Sequence, residues 1–473
     1  MTGRRARHGQ ESPAVQPRPR RRRSARSATV VAVGLWLALL AGPGCGPAAP
    51  TASVSLAPAR LAQGPLVTAV WLPVGMTWVR LGAPDQELLL NLGVTHLEWT
   101  QRAAVDSTTA EAHTLAWCSW HGLRMPVYYE PPGFLPEDKL HDWARARPGP
   151  GFVEAVETRA ASLRQHWEPW PAFWGYLVGH EDYGRDQVAG LAEVVRALRR
   201  QDPDRPAVVV GRWRDYQAPA AFLDALFAEG GEPNVFQHEH YVFAGTLPLQ
   251  GAAVDRALDG LTAGYDQVAQ ALQGRHGRWH AIVQVHAETR NGRLAYRRPT
   301  AAEIRVQVGL ALSRGAAGIV YFLYSSGAES IVDAGGRLIE SRYYDGLVDS
   351  SGVPAEAYLA VCSINHDLAQ CGPRLASLRY YGSFAAPGVP ANPLLSGGDP
   401  DLEFGVFGTA EQATHVLVVN RRTAEARRAS LGWLRSTAQD AVTGDDVPVV
   451  AGRISVELPP GGWRLLCTPP AGG

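Results

Sequence analysis

The chain has 473 residues, 46% hydrophobic and 19% charged, enough to bury at least one large core and to form two or three domains. Its 45 basic and 45 acidic residues balance, but nine arginines from Arg4 to Arg26 and a single acid, Glu11, sit in the leader; the remainder carries 36 basic against 44 acidic groups. That excess of acid argues against nucleic-acid binding.

The leader reads as an export signal. Its arginines precede an apolar run, Ala28 to Ala41, that is too short to span a bilayer and ends in small residues. Gly42-Pro43-Gly44-Cys45 is similar to a bacterial lipoprotein cleavage site, with Gly42 where a Leu is usual; Cys45 would carry the lipid, the membrane's one point of attachment. Residues 1–45 are thus expected to be the signal peptide, and 46–64, rich in Ala, Pro and Ser, a flexible linker. The expected location is the bacterial cell envelope, anchored or secreted.

From Val67 onward β-rich runs alternate with amphipathic helical ones, the pattern of a parallel α/β sheet. The spacing predicts strands at Val67–Pro73, Thr95–Thr100, Arg124–Glu130, Trp174–Glu181, Ala207–Gly211, Asn234–Tyr241, His280–Glu288 and Gly318–Tyr324. Helical runs such as Gln187–Arg200, Pro219–Glu229, Ala253–Leu272 and Ala301–Arg314 separate them, and Tyr358–Gln370 reads as a closing helix. Eight βα units predict a (β/α)8 TIM barrel over 65–386, a doubly wound sheet being the alternative. The Pro/Gly stretch 387–400 reads as a linker, and the alternating segments of 401–473 as a small all-β sandwich.

The chemistry concentrates in Phe173-Trp-Gly-Tyr-Leu-Val-Gly-His-Glu-Asp182, an apolar run that stops at two carboxylates. Such a strand would deliver Glu181 to the rim where barrels keep their active sites, and a strand-end carboxylate suits proton transfer to a sugar leaving group. The plainer reading is a helix start capped by Asp182 or Asp186. Lys139, the chain's one lysine, lies in a polar loop after Pro136-Glu-Asp, which disfavours Schiff-base chemistry.

The order of elements resembles TIM-barrel glycoside hydrolases of the large retaining clan, β-galactosidase- and agarase-like enzymes especially, from Val67 to Gly473. Phe173 to Asp182, followed by Arg199-Arg-Gln-Asp-Pro-Asp-Arg-Pro206, is similar to a fourth-strand signature W-G-Y-x-x-x-D-E-P. Further matches are Ile282-Val-Gln-Val-His286, Arg298-Pro-Thr300 with Glu303 and Gln307, Gly315-Ala-Ala-Gly-Ile-Val-Tyr-Phe-Leu-Tyr324, Gly346 to Pro354, and the ending Leu458-Pro-Pro-Gly-Gly-Trp-Arg-Leu-Leu466. The resemblance implies that Glu181 is the general acid/base. It departs from the family at His180 and Asp182, which flank Glu181, and at the seventh strand, where Gln284 holds one plausible nucleophile position.

Retaining hydrolysis needs a second carboxylate about 5 to 5.5 Å from the first. Glu288 is the candidate: Ala281, Val283, Val285 and Ala287 should face the helices, which turns Gln284, His286 and Glu288 inward. The competing reading starts a polar loop at Glu288. The same parity points His96 and Glu98 inward, and Glu130 ends the third strand. In Gln237-His-Glu-His-Tyr241, His238 and His240 share a face but lack the other ligands of a metal barrel, so no metal is expected and no cofactor implied. Glu239 and Tyr241 read as pocket lining. Of the 14 tryptophans and 15 tyrosines, those near strand ends, Trp71, Trp78, Trp99, Trp213, Tyr241 and Tyr324, are the ones placed to stack on sugar rings.

The expected site is therefore Glu181 and Glu288 for catalysis, with Glu98, His180, Glu239, Tyr241, Gln284, His286 and Tyr324 for substrate. The expected activity is two-carboxylate cleavage of glycosidic bonds in a poly- or oligosaccharide. The rival reading is a carbohydrate-binding surface lipoprotein that has lost catalysis on the same fold.

Overall fold

The computed structural model describes residues 65–72, 83–99, 110–129, 150–180, 184–211, 216, 218–332, 336–386, 388 and 392–469. The apolar runs form β1 (Val67–Leu72), β2 (His96–Trp99), β3 (Met125–Tyr129), β4 (Phe173–His180), β5 (Ala207–Gly211), β6 (Val235–Glu239) and β7 (Arg278–Gln284). Helices α1 (Ala83–Asn91), α2 (Ala110–His121), α3 (Pro150–Trp167), α4 (Val188–Gln201), α5 (Pro219–Ala228) and α6 (Ala252–Ala271) lie between them. Next come the hairpin β8 (Ala287–Arg290) and β9 (Arg293–Tyr296), helix α7 (Ala301–Ser313), β10 (Gly318–Phe322), a second hairpin β11 (Gly327–Val332) and β12 (Leu338–Asp345), and α8 (Glu356–Ala376).

Seven neighbouring pairs run in the order β2-β1-β10-β7-β6-β5-β4-β3, all parallel. The ring closes through a parallel bridge between His96 and Arg124, where Leu97 N donates to Arg124 O and Arg124 N to Thr95 O. This is the barrel that the run spacing predicts. Strand alternation splits the core in two. Val67, Ala69, Trp71, Leu177, Val208, Val210, Ile282 and Val320 fill the interior, while Val70, Val127, Val209, Phe236, Ala281, Val283 and Ile319 meet the helices.

Helix α7 starts firmly because its sequence contains a capping box: Thr300 Oγ1 accepts from Glu303 N and Glu303 answers to Thr300 N. The same Glu303 takes both Nη groups of Arg297, at 2.8 and 2.6 Å.

A β-sandwich follows. One sheet has the order β13-β15-β16-β20-β18, with β13 Arg379–Ala385, β15 Leu402–Gly408, β16 Ala413–Asn420, β18 Gln439–Asp440 and β20 Trp463–Cys467; the other is β14-β17-β19, with β14 Leu395–Gly398, β17 Arg427–Trp433 and β19 Arg453–Leu458. Two expectations about boundaries change. The stretch 387–400 carries β14, and β13 lies upstream of it yet pairs with β15, because Tyr380, Tyr381 and Phe384 have partners across the strands that a linker would not offer them. Phe404, Val406, Val416, Leu431, Trp433 and Val456 close the sandwich core.

The outer face of the five-stranded sheet packs on α7. Gly309 permits the approach, since a Cβ there would stand 2.7 Å from Trp463 Cδ1. An ion-pair chain, buried at Arg314 and Glu403 and reaching the surface at Asp259, crosses the junction: Arg314 Nη2 to Glu403 Oε2 at 2.6 Å, Glu403 Oε1 to Arg421 Nη1 at 2.9 Å, and Arg421 Nη2 to Asp259 Oδ1 at 2.6 Å. With Arg314 and Glu403 only 3% and 1% exposed, removing one partner strands a buried charge. Glu403→Gln is expected to cost about 3–5 kcal/mol in denaturant-induced unfolding.

Candidate functional site

Inward parity at the C-terminal halves of the strands puts Trp71, Glu98, Tyr128, Gln237 and Glu239 in or above the barrel interior. Deepest is Glu98, fully buried on β2, whose Oε1 accepts from Gln237 Nε2 at 2.5 Å. Its Oε2, and Gln237 Oε1, have no hydrogen-bond partner among the described residues. Burial pushes the Glu98 carboxyl up to about 7, with the Gln237 hydrogen bond pulling the other way.

Above this pair lies an aromatic cluster. The His286 ring is 5.0 Å from Tyr241 and 5.1 Å from Phe322; Tyr241 is also 5.8 Å from Tyr296, and Phe322 is 5.9 Å from Tyr344 and 6.0 Å from Trp71. His286 Nδ1 lies 2.9 Å from the Phe322 carbonyl, which only accepts, so Nδ1 carries the proton and buried Nε2 presents a lone pair with no partner among the described residues. Burial lowers this imidazole to about 4, against the pull of the Phe322 carbonyl.

The second carboxylate stands on a sheet that the barrel does not supply. β8, β9, β11 and β12 form an antiparallel sheet in the order β11-β12-β8-β9. Glu288 is opposite Tyr344 and Arg290 opposite Arg342, so all four share one face. Glu288, 2% exposed, receives Arg290 Nε at 2.6 Å and Nη2 at 3.0 Å, with Arg342 Nε 4.0 Å away. Arg342 also pairs with Glu340 and donates to Tyr344 Oη at 3.4 Å. Through Tyr344, whose ring is 5.9 Å from His286, the charged face joins the aromatic cluster.

The expected residues distribute unevenly. Glu98, Glu239, Tyr241 and His286 belong to the interior and its rim, Glu239 at the end of β6 and 8% exposed. Glu288 is buried at the charged face, but β7 ends at Gln284, so its position follows from the hairpin and not from continued parity along the seventh strand. Gln284 does not offer its amide to the mouth as expected. Its Oε1 accepts from Phe243 N at 3.1 Å, its Nε2 donates to Arg297 O at 3.0 Å, and Gln307 brackets its backbone N and O, both at 3.1 Å, so it ties loops together. Tyr324 also departs from expectation: β10 ends at Phe322, Leu323 joins the interior cluster, and the Tyr324 hydroxyl donates to Asp85 O at 3.1 Å on the helix side. His238 and His240 face α6, where His238 lies 5.7 Å from Tyr265, and among the described residues no three His, Cys, Asp or Glu groups converge as a metal site. Glu181, the His180 side chain, Cys45, Glu130 and Lys139 lie outside the described residues.

Arg290, Tyr296, Arg342 and Tyr344 were not anticipated from sequence. The signal existed: Asn291-Gly292 between alternating residues is a hairpin turn, and both have positive φ, 48° and 74°, as a type I′ turn requires.

The fold resembles that of the β-galactosidase from Bacillus circulans sp. alkalophilus, at 8% identity, a TM-score of 0.53, and coverage of 86% of this chain and 99% of that one. The chain shares the barrel fold of that enzyme. Similarity extends to a family 39 glycoside hydrolase from the gut symbiont Bacteroides cellulosilyticus WH2 (12% identity, TM-score 0.45, 85% of this chain and 81% of that one) and to the β-galactosidase from the psychrophilic Marinomonas ef1 (12%, 0.46), of whose length this chain spans 62% while 66% of its own is covered. No family model matches the sequence, and no curated protein matches it.

Because the Glu98 carboxyl rises from 4.5 to about 7 on folding, the native state binds the extra proton between those values, so stability falls as pH rises through that window. Glu98→Gln should remove that fall: relative to the unchanged protein it gains up to about 3 kcal/mol at pH 8 over pH 4, read from urea unfolding at both pH values.

Proposed function

We propose that the protein cleaves glycosidic bonds in a poly- or oligosaccharide, outside the cytoplasm, with Glu181 as general acid/base and Glu288 as nucleophile. The observation that carries the reading is the buried Glu288 carboxylate beside an aromatic cluster at the C-terminal rim of a glycoside-hydrolase-type barrel. Barrel enzymes keep their chemistry at that rim. The described hydrogen bonds to Glu288 come from Arg290 Nε and Nη2, donors only, which suits a group that attacks an anomeric carbon more than one that gives up a proton. Glu181 is the next residue in the sequence after β4, and its role as proton donor to the leaving oxygen rests on the fourth-strand resemblance. The glycosyl ester on Glu288 would then be opened by water, with Glu181 taking the water's proton. Tyr241, Tyr296 and Tyr344 supply apolar faces for the sugar, and Glu239 and the His286 Nε2 lone pair would accept hydroxyl hydrogens. The leader supports export, with Cys45 as the lipid attachment; no helix among the described residues is long and apolar enough to cross a membrane.

A second reading has its own support. Both Glu288 oxygens are engaged by Arg290, and Gln284 fills the other seventh-strand position, as in a barrel that retains a glycan without cutting it. Turnover of the mature protein on a panel of aryl glycosides and polysaccharides separates the two. Under hydrolysis, Glu181→Gln and Glu288→Gln each lower kcat/KM by about 10²-fold or more. Under retention alone, no substrate turns over and a glycan binds with affinity that Glu181→Gln leaves unchanged.

A further inference from the structure

At the N-terminal ends of the strands, opposite the mouth, lies a half-open cavity of about 590 Å³, within the size range of small-ligand sites. Barrels of eight strands are ordinarily filled there by a layer of side chains. Here three rings stand among Val67 and Val235: His96 lies edge-on to Trp174 at 4.6 Å, and His280 lies nearly parallel to Trp174 at 6.1 Å. His96 is 4% and His280 1% exposed, yet His96 Nε2 and His280 Nδ1 have no hydrogen-bond partner among the described residues. A buried polar atom left unpaired is costly, so a pair of them lining one cavity asks for a ligand.

The rim sets the sign of that ligand. Arg124, Arg205 and Arg278 line it against a single carboxylate, Asp204. Arg205 is bound to Asp202 at 3.1 Å, whereas exposed Arg124 has no carboxylate partner among the described residues. Burial holds both imidazoles at about 3, with the Arg124 charge adding to it at His96 and the charges of His96 and Arg278 at His280. The rings are therefore neutral hydrogen-bonding groups, and the positive charge is that of the guanidiniums. Asn234 adds an amide at the same wall.

We propose that this cavity is a second binding site, distinct from the mouth, for a small organic anion whose carboxylate or phosphate engages Arg124 and Arg278 and whose polar edge meets His96 Nε2 and His280 Nδ1. The proposal does not depend on hydrolysis. Isothermal titration calorimetry on the mature protein with glucuronate, inorganic phosphate and neutral methyl β-glucoside tests it. A saturable response to glucuronate or to phosphate, at least 5-fold weaker in Arg124→Gln and in Arg278→Gln and absent for the neutral glucoside, supports it, and which anion binds names the charged group. Arg124 is exposed and has no carboxylate partner among the described residues, so its variant should unfold at the temperature of the parent protein. Silence toward both anions, equal binding of the neutral sugar, or anion binding lost in Glu288→Gln but kept in Arg124→Gln would overturn it.

Discussion

Closing eight parallel strands into a ring gives each side chain two destinations, the interior or the helix layer, and everything else in this protein follows from that sorting. The His96–Arg124 bridge completes the ring. It places four polar side chains, His96, Glu98, Gln237 and His280, in an interior otherwise lined by Ala69, Leu177, Val208, Ile282 and Val320. Each buried polar group raises the cost of a wrong register, because a slip of one residue would send it into the apolar helix layer. The Glu98–Gln237 hydrogen bond thus marks both the register of β2 against β6 across the barrel and the floor beneath the mouth.

The mouth itself is finished by elements that interrupt the repeating unit. The β8–β9 hairpin and its partner β11–β12 bring Glu288, Arg290, Arg342 and Tyr344 onto one face, while Gln284 and Gln307 hold the end of β7 and the loops around it. Arg298 extends the same scaffold, donating to Gly346 O at 2.9 Å and Asp345 O at 3.0 Å. The Arg-Pro-Thr, Glu303 and Gln307 pattern therefore acts as a set of braces: Arg298 on the second hairpin, Glu303 on Arg297 and the start of α7, Gln307 on β7. On the far side, the Arg314–Glu403–Arg421 chain fixes α7 to the sandwich, so the helix that braces the mouth is itself anchored at its other end.

Much of the barrel was legible because runs buried on both faces are continuous and apolar; Ala207–Gly211 is the same five residues in the sequence pattern and in β5. Helix α7 was legible from Thr300 and Glu303. The seventh strand was read too long because Val285 and Ala287 continue the apolar alternation past the point where the chain turns into β8, and alternation alone cannot register that turn. The hairpin sheet has no such signal in the sequence, since β8, β9 and β12 carry Glu288, Arg290, Arg293, Glu340 and Arg342 where an apolar alternation would mark a strand. Tyr324 went astray for a related reason: parity holds only while the strand does, and β10 stops two residues earlier. In the sandwich, the Pro/Gly stretch concealed β14 and drew attention away from β13, whose Tyr and Phe side chains gave the pattern of a half-buried edge.

Glu288 is the proposed nucleophile at this mouth. Incubating the mature protein with 2-deoxy-2-fluoro glycosides of galactose, glucose, mannose and glucuronic acid, followed by mass spectrometry of its peptides, reads that directly. The account predicts a stable glycosyl adduct on the peptide carrying Glu288; an adduct on another residue, or turnover of the parent glycoside with no adduct from any of the four, would contradict it.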